Sequence, residues 1–268
     1  MEIVNSSDFK LILTTAGFLL SLISTAFCMP IVNKIGLKYN VIDKPDSRKQ
    51  HKVEIVRLGG LGILFGILIG ILLTIIIISN TDSEILNNSI ISIYFIGTIC
   101  FFSIGLTDDI YKLNPFIRLI YQIILSSILY INGVNFNAID LTWVANLGVI
   151  PIPYYLSIII TIIWLVGVTN AINWTDGLDG LASGLTAICS IGLILIFISL
   201  EKWNFVILTA SLSGASIAFL RYNFYPAKIL MGDCGSYLLG SSLAIISLLG
   251  LTYDLSIDQN DFRVFPLH

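Results

Sequence analysis

Charged residues are scarce in this sequence. Asp, Glu, Lys and Arg make up 12% of its 268 residues, whereas 56% are hydrophobic and the mean hydropathy is +0.92. Soluble domains carry roughly 25% charged residues, so this chain has too few to coat a soluble surface of its size. The shortage excludes a cytosolic enzyme and a disordered chain. The net charge of −3 leaves no basic excess, which also excludes a nucleic-acid partner.

Cysteine and histidine are equally rare. The chain has four cysteines, three of them inside apolar runs, and two histidines, His51 and His268. The cysteines show neither the spacing of a disulfide framework nor that of a cysteine-based metal site. The sequence therefore excludes a fold held together by disulfides or by a zinc-type centre.

Long apolar runs dominate what is present. Roughly 17–25 apolar residues cross a bilayer, and inside lipid the backbone must bond within its own segment, which favours helices. Eight runs meet this length: 9–29, 58–79, 90–106, 116–132, 154–172, 181–200, 204–220 and 235–253. The sequence predicts an all-α polytopic integral membrane protein with about eight transmembrane helices.

The connections between these runs differ sharply in basic residues. With eight spans, eleven Lys and Arg lie in or next to the connections on one side and three on the other. Because cytoplasmic loops carry the excess of Lys and Arg, this asymmetry predicts an N-terminus outside the cell. The first run lacks a preceding basic cluster and a small-residue cleavage site, so we expect it to stay as an uncleaved helix.

The four connections on the basic side are compact and polar. Between them they hold five acids, two amides and several cations: Asp108, Asp109, Asp176, Asp179 and Asp233, Asn170 and Asn173, and the cations of 44–57. Mg²⁺ prefers a few carboxylates together with phosphate oxygens, and glycines beside helix starts leave N–H groups open to phosphate. The combination indicates a metal-dependent phosphoryl-transfer site at the membrane boundary.

Each feature also has a plainer interpretation. The cations of 44–52 could anchor anionic lipid, and Asn173, Asp176 and Asp233 could simply cap helices. A transporter or a lipid-binding membrane protein without chemistry is a further alternative. Transporters tend to place ionisable groups near the bilayer midplane, whereas these acids lie at the predicted helix ends, which makes a transporter the weaker hypothesis.

Four blocks then carry a resemblance to a known family. They are DKPDSRKQH followed by Gly59-Gly60, GLTDDIYKLNPFIR, NAINWTDGLDGLASG and MGDCGSYLLG, in this order. The chain resembles the polyprenyl-phosphate N-acetylhexosamine-1-phosphate transferases, and within them the branch that transfers GlcNAc-1-phosphate. The phospho-MurNAc-pentapeptide transferases of wall synthesis are a related branch.

The resemblance implies a reaction and its partners. A sugar-1-phosphate passes from a UDP-N-acetylhexosamine to a polyprenyl phosphate, UMP is released, and Mg²⁺ or Mn²⁺ is required. It further implies a multi-pass protein of the inner (plasma) membrane, in contact with membrane lipid, with a cytoplasmic site that serves a cell-envelope glycan. The oligomeric state stays open, and a homodimer is compatible with the resemblance.

It also implies a role for each site residue. Asp108 would be the base or organiser for the lipid phosphate, Asp109 would support the metal site, and Arg118 would neutralise a phosphate. The metal ligands would be Asn173 and Asp233. The residues that bind substrate would be Asn170, Asp176 and Asp179 in the third block and Lys44, Arg48, Lys49 and His51 in the first.

One departure concerns the end of the chain. The family pattern continues with further helices and a cytoplasmic loop bearing His-x-His-His, and the sequence up to His268 does not contain them. We expect residues 1–268 to form a single transferase domain that lacks this loop. The chain is then either a fragment or a truncated paralogue with reduced or no activity.

Overall fold

The computed structural model describes residues 6–43, 54–79, 87–140 and 148–252. Within these ranges the chain forms eight α-helices. They are α1 Ser6–Lys38, α2 Gly59–Ser79, α3 Asn88–Tyr111, α4 Pro115–Ile131, α5 Tyr154–Thr175, α6 Leu181–Ser199, α7 Trp203–Asn223 and α8 Gly232–Thr252. Two short antiparallel hairpins join them, β1 Ile42–Asp43 with β2 Ile55–Val56 and β3 Ala138–Asp140 with β4 Val149–Pro151.

Seven of these helices are long and apolar enough to cross a membrane. The exception is α4, which has 17 residues and lies at the short end of the roughly 17–25 residues that a span requires. The predicted class, an all-α polytopic membrane protein, is confirmed. A bilayer crossing by α4 and an outside N-terminus stay predictions.

Several helices run past the limits predicted from hydropathy. α1 ends at Lys38 rather than at 29, α3 at Tyr111 rather than at 106, and α5 at Thr175 rather than at 172, while α8 begins at Gly232 rather than at 235. Hydropathy marks the part of a helix that suits lipid, whereas the backbone hydrogen bonds continue into the polar boundary. As a result Asp108 and Asp109 lie in the last turn of α3, not in a connection as predicted.

The last described helix forms the centre of the molecule. Every residue of α8 other than Asp233 and Leu251 is buried, and the helix packs mainly between α3 and α5. The Tyr94 hydroxyl of α3 donates to the Ser242 hydroxyl of α8 at 3.2 Å. α1 packs against α2 and α7, and α6 covers the other side of α7.

Backbone hydrogen bonds connect the start of α2 to the chain that leads into α8. The Leu230 amide donates to the Val56 carbonyl at 2.8 Å, and the Gly59 and Gly60 amides donate to the Leu230 and Met231 carbonyls, both at 2.9 Å. Two glycines permit this approach, because a Cβ on Gly60 would lie 2.4 Å from the Gly235 nitrogen. These bonds hold the starts of α2 and α8 together. The ends of α3 and α5 reach the same place, because Asp109 and Asn173 both contact Asp233. This end of the bundle is called here the site end.

Candidate active site

Asp233 lies at the middle of the site end, in the first turn of α8. Its Oδ1 accepts a hydrogen bond from the Asn173 amide nitrogen at 2.8 Å, and its Oδ2 accepts one from Arg57 Nη2 at 3.0 Å. The side chain is 19% exposed, more than either neighbouring acid of α3. Asp233 thus joins α2, α5 and α8 while one face of its carboxylate stays open to a ligand.

The side chain of Asp109 is buried, and both of its oxygens accept hydrogen bonds. Its Oδ1 accepts from the Asp233 amide and its Oδ2 from the Cys234 amide, both at 2.9 Å, and Arg57 Nε lies 3.2 Å from Oδ1. The side chain is 1% exposed. Two free N–H groups at a helix start are natural partners for a carboxylate. Asp109 therefore fixes the start of α8 against the end of α3, which suits the supporting role predicted for it.

Asp108 points to the next helix instead. Its Oδ2 accepts a hydrogen bond from Arg118 of α4, and its Oδ1 accepts from the Leu113 amide at 2.7 Å. The turn between them is tight, because Lys112 adopts a left-handed backbone with φ 49° and Asn114 caps α4 just before Pro115. This turn brings Arg118 back over the end of α3. Asp108 is also close enough to Asp233 for the two carboxylates to repel.

The amides of α5 are held by their neighbours. The Asn170 side-chain amide donates to Gln122 Oε1 at 2.6 Å, and Gln122, from α4, is 1% exposed. Asn173 donates to Asp233 and also to the Ser236 hydroxyl at 2.8 Å. The side-chain nitrogen of Asn173 faces the Asp233 carboxylate, so its side-chain oxygen points elsewhere and can serve as a metal ligand.

The two acids that follow α5 have different surroundings. Asp176 is half-buried, and its pKa is raised to about 8. Burial is the main cause. Arg57 opposes the increase, whereas repulsion from Asp233 and Asp109 adds to it. Asp179 accepts a hydrogen bond from the Ala227 amide at 2.9 Å. Asp179 therefore holds the connection between α7 and α8 against the turn after α5, so the structure gives it a structural contact in addition to its predicted substrate role.

Arg57 was missed as a site residue by sequence reasoning, which counted it only among the cations of the basic side. It stands two residues before Gly59-Gly60 of the first block, which is the only sequence signal for it. Burial lowers its pKa, but the carboxylates of Asp233 and Asp109 outweigh this and raise the pKa overall.

The four predicted residues Lys44, Arg48, Lys49 and His51 lie outside the described residues.

Among the described side chains that interact around Asp233, the charges do not balance. Four acids, Asp108, Asp109, Asp176 and Asp233, face two arginines, Arg57 and Arg118. Among the described residues no three His, Cys, Asp or Glu side chains are grouped closely enough to hold a metal alone. Mg²⁺ is commonly held by one or two carboxylates together with substrate phosphates and water. The excess of negative charge among these side chains and the partly exposed carboxylate of Asp233 fit that mode of binding.

The geometry above coincides with a family assignment. The family model described as Glycosyl transferase family 4 matches residues 90–251, which cover all but the outermost residues of α3 to α8 and therefore most of the site. The chain belongs to this family, and the resemblance drawn from the four sequence blocks is confirmed.

Named relatives agree with one another in chemistry. The chain is 34% identical, over 91% of its length, to a probable undecaprenyl-phosphate N-acetylglucosaminyl 1-phosphate transferase of Bacillus subtilis. It is 33% identical over 92% of its length to a phospho-N-acetylmuramoyl-pentapeptide-transferase of Prochlorococcus marinus, and 30% identical over 84% to a decaprenyl-phosphate N-acetylglucosaminephosphotransferase of Mycobacterium tuberculosis. The chain covers 65%, 71% and 57% of these three relatives, in that order.

Proposed function

We propose that this protein transfers a sugar-1-phosphate, GlcNAc-1-phosphate, from a UDP-sugar to a polyprenyl phosphate. The observation that carries the proposal is the convergence of Asp108 with Arg118 and of Asp233 with Arg57 at one end of an apolar bundle. The two relatives named as N-acetylglucosamine-phosphate transferases support the choice of sugar and of lipid phosphate.

The layout suits a reaction between one substrate in lipid and one in water. An oxygen of the lipid phosphate forms a bond to the sugar-bearing phosphorus of the UDP-sugar, and the bond from that phosphorus to the UMP oxygen breaks, with UMP keeping the electron pair. The lipid phosphate is already an anionic nucleophile, so the step needs little proton transfer. In such reactions catalysis rests mainly on positioning and on neutralising charge.

The described residues divide these tasks. Arg118, held by Asp108, neutralises the lipid phosphate at the boundary of α4, and Asp108 sets its direction. Asp233, with Asn173 beside it, would hold Mg²⁺ or Mn²⁺, which when bound supplies positive charge to the diphosphate. Asp176, Asp179 and Asn170 would bind the UDP-N-acetylhexosamine, and the same role is proposed for Lys44, Arg48, Lys49 and His51, which lie outside the described residues.

The remaining parts of the proposal concern placement. We propose that residues 1–268 act as a single membrane domain in the inner membrane, with the site end in the cytoplasm and the product feeding a cell-envelope glycan. The asymmetry of Lys and Arg supports this orientation, and a homodimer is compatible with it.

A transfer assay tests the function. Membranes from a host depleted of its own activity of this class would receive the chain, UDP-GlcNAc labelled in the sugar, undecaprenyl phosphate and Mg²⁺. We expect label in the lipid extract and an equal amount of UMP. UDP-GalNAc serves as a competing donor. Lipid-phosphate binding without UMP release from any UDP-N-acetylhexosamine would contradict the proposal and favour a non-catalytic membrane protein.

A further inference from the structure

Arg57 occupies an unusual position at the site end. It precedes α2, yet it contacts two carboxylates that belong to two other helices: Nε lies 3.2 Å from Asp109 Oδ1, and Nη2 lies 3.0 Å from Asp233 Oδ2. A planar guanidinium can meet two carboxylates along different directions at once, whereas an ammonium is a single point of charge. The two contacts therefore depend on the shape of arginine as well as on its charge.

The contacts of Asp109 make Arg57 a rigid support. Asp109 is 1% exposed and is itself fixed by the Asp233 and Cys234 amides at 2.9 Å. A closed set of contacts results, from the start of α8 to Asp109, from Asp109 to Arg57, and from Arg57 back to the Asp233 side chain. The guanidinium is thus held from its buried side, although the whole side chain is 39% exposed.

The consequence falls on the Asp233 carboxylate. Arg57 holds its Oδ2, while Asn173 meets Oδ1. With both oxygens restrained, the carboxylate keeps one orientation, and the lone pairs that these two contacts leave unused point in a fixed direction. Residues that orient a metal ligand in this way typically change metal affinity or activity by about 10- to 100-fold when mutated.

We infer that Arg57 is a positioning residue, which aims the Asp233 carboxylate at a divalent cation and is itself aimed by Asp109. The inference rests on the proposed function for its catalytic meaning, but the orientation of Asp233 can be measured without turnover. Arg57 acts through Asp233, and no contact of Arg57 with substrate is required.

The test measures Mn²⁺ binding to purified residues 1–268 in detergent with no substrate present. Electron paramagnetic resonance detects the bound Mn²⁺. Arg57→Lys keeps the positive charge and loses the two-directional contact, so we expect Mn²⁺ to bind about 10- to 100-fold more weakly. The matched control is Arg221→Lys, because Arg221 is an exposed arginine in the last turn of α7. This control should bind Mn²⁺ like the wild type.

A second variant separates positioning from charge. A guanidinium that acted only as a positive charge would oppose the cation, so Arg57→Gln would then bind Mn²⁺ more tightly than the wild type. Positioning predicts weaker binding in Arg57→Gln as well. Wild-type Mn²⁺ affinity in Arg57→Lys, or tighter binding in Arg57→Gln, would overturn the inference. Size-exclusion profiles of each variant exclude misfolding as the cause.

Kinetics supply a further measurement where the wild type transfers sugar phosphate. We expect kcat of Arg57→Lys to fall with the KM for the UDP-sugar nearly unchanged, and raised Mn²⁺ to restore part of the rate. A wild type that binds Mn²⁺ but transfers nothing would count against the proposed function alone. An increase confined to KM, with kcat and Mn²⁺ affinity intact, would instead make Arg57 a substrate-binding residue and refute its positioning role.

Discussion

At the scale of single residues, the two adjacent acids at the end of α3 have separate tasks. Asp108 pairs with Arg118 of α4, whereas Asp109 accepts two backbone N–H groups from α8 and pairs with Arg57. The sequence alone suggests that neutralising either acid relieves repulsion and leaves folding intact. The structure changes this for Asp109, because an amide there would present its own N–H₂ to a backbone donor and leave a buried group without a partner.

Asp233→Asn distinguishes a structural hydrogen-bond acceptor from a metal ligand. The helix start is held by Asp109, and the amide oxygen of Asn can still accept one of the two hydrogen bonds, so membrane expression should stay normal. The loss of the full negative charge should lower transfer by two or more orders of magnitude, about 3 kcal/mol at 1.36 kcal/mol per tenfold. Initial rates at graded Mg²⁺ and Mn²⁺ measure this, and we expect partial rescue by Mn²⁺.

Asp179→Asn is the matched control for Asp233→Asn. Its carboxylate accepts a hydrogen bond from the Ala227 amide, and the amide oxygen of Asn can accept in its place. We expect the smaller loss of activity here. Equal rates for Asp233→Asn and the wild type at low Mg²⁺ would leave Asp233 with its contacts to Asn173 and Arg57 alone, and no role in binding the metal.

Asp176 gives the stability of the metal-free protein a pH dependence. Its folded pKa is raised to about 8, above the ordinary value of about 3.9, so the folded state binds the extra proton. Binding of this proton makes its full contribution to the free energy of unfolding below about pH 4, and the contribution is lost as the pH rises to about 8. Asp176→Asn has no such loss, so its advantage over the wild type should grow with pH.

Thermal unfolding in detergent with a chelator present, at pH 6 and pH 9, measures the effect of Asp176→Asn. We expect the difference in Tm, variant minus wild type, to be larger at pH 9. The chelator matters because a bound cation would favour the charged carboxylate. A difference in Tm that does not change between the two pH values would show that Asp176 has an ordinary pKa in the folded protein.

At the scale of helices, the crossing of α2 and α8 sets the distance between Arg57 and Asp233. The crossing is a glycine pair, since a Cβ on Gly60 would lie 2.4 Å from the nitrogen and 2.5 Å from the Cα of Gly235. Both obstructing atoms belong to the backbone, so the helices themselves must separate to admit a methyl group. We therefore expect Gly60→Ala to destabilise the protein by about 1–3 kcal/mol and to weaken transfer as Arg57 moves away from Asp233.

Gly184→Ala is the control for this crossing. Gly184 lies in α6, and a Cβ there meets nothing within 4 Å. Unfolding midpoints and transfer rates of the two variants, compared side by side, separate crowding from the general effect of replacing a helical glycine. A Gly60→Ala protein as stable and active as Gly184→Ala would show that the crossing of α2 and α8 accommodates a methyl group without separating the helices.

The helices also show how far the sequence could predict the structure. Apolar runs located all eight helices, because lipid forces an apolar segment to bond within itself. The ends were missed where polar residues continue a helix, as at Asp108 and Asn173. Arg57 was missed for a different reason: its partners lie 52 and 176 positions away in the sequence, and only tertiary packing brings them together.

At the scale of the whole molecule, the prediction concerns orientation. α5 runs from the β3–β4 hairpin to the site end, and its 22 residues cover about 33 Å at 1.5 Å per residue. Val149 and Leu178 therefore lie at opposite ends, and both are exposed. In a variant without the four native cysteines, an impermeant maleimide on intact cells should label Val149→Cys and should label Leu178→Cys only after lysis.

Labelling of Leu178→Cys before lysis would invert the proposed topology. It would also place the site away from cytoplasmic UDP-sugars, so the proposed donor would fall with the orientation. Labelling of the two positions after lysis controls for the access of the reagent to each cysteine.

The central position of α8 also determines the order in which the protein can be made. α8 is the last helix of the described chain, yet its neighbours α3 and α5 pack against it rather than mainly against each other. While the ribosome is still translating, the earlier helices enter the bilayer with the place of α8 unfilled, and Tyr94 of α3 has yet to meet Ser242. At this stage Asp109 lacks the two α8 amides that it accepts from, and Arg57 lacks the Asp233 carboxylate. The site therefore cannot assemble before α8 has been synthesised and inserted, and a substitution that disrupts α8 leaves the earlier helices without the helix they pack against.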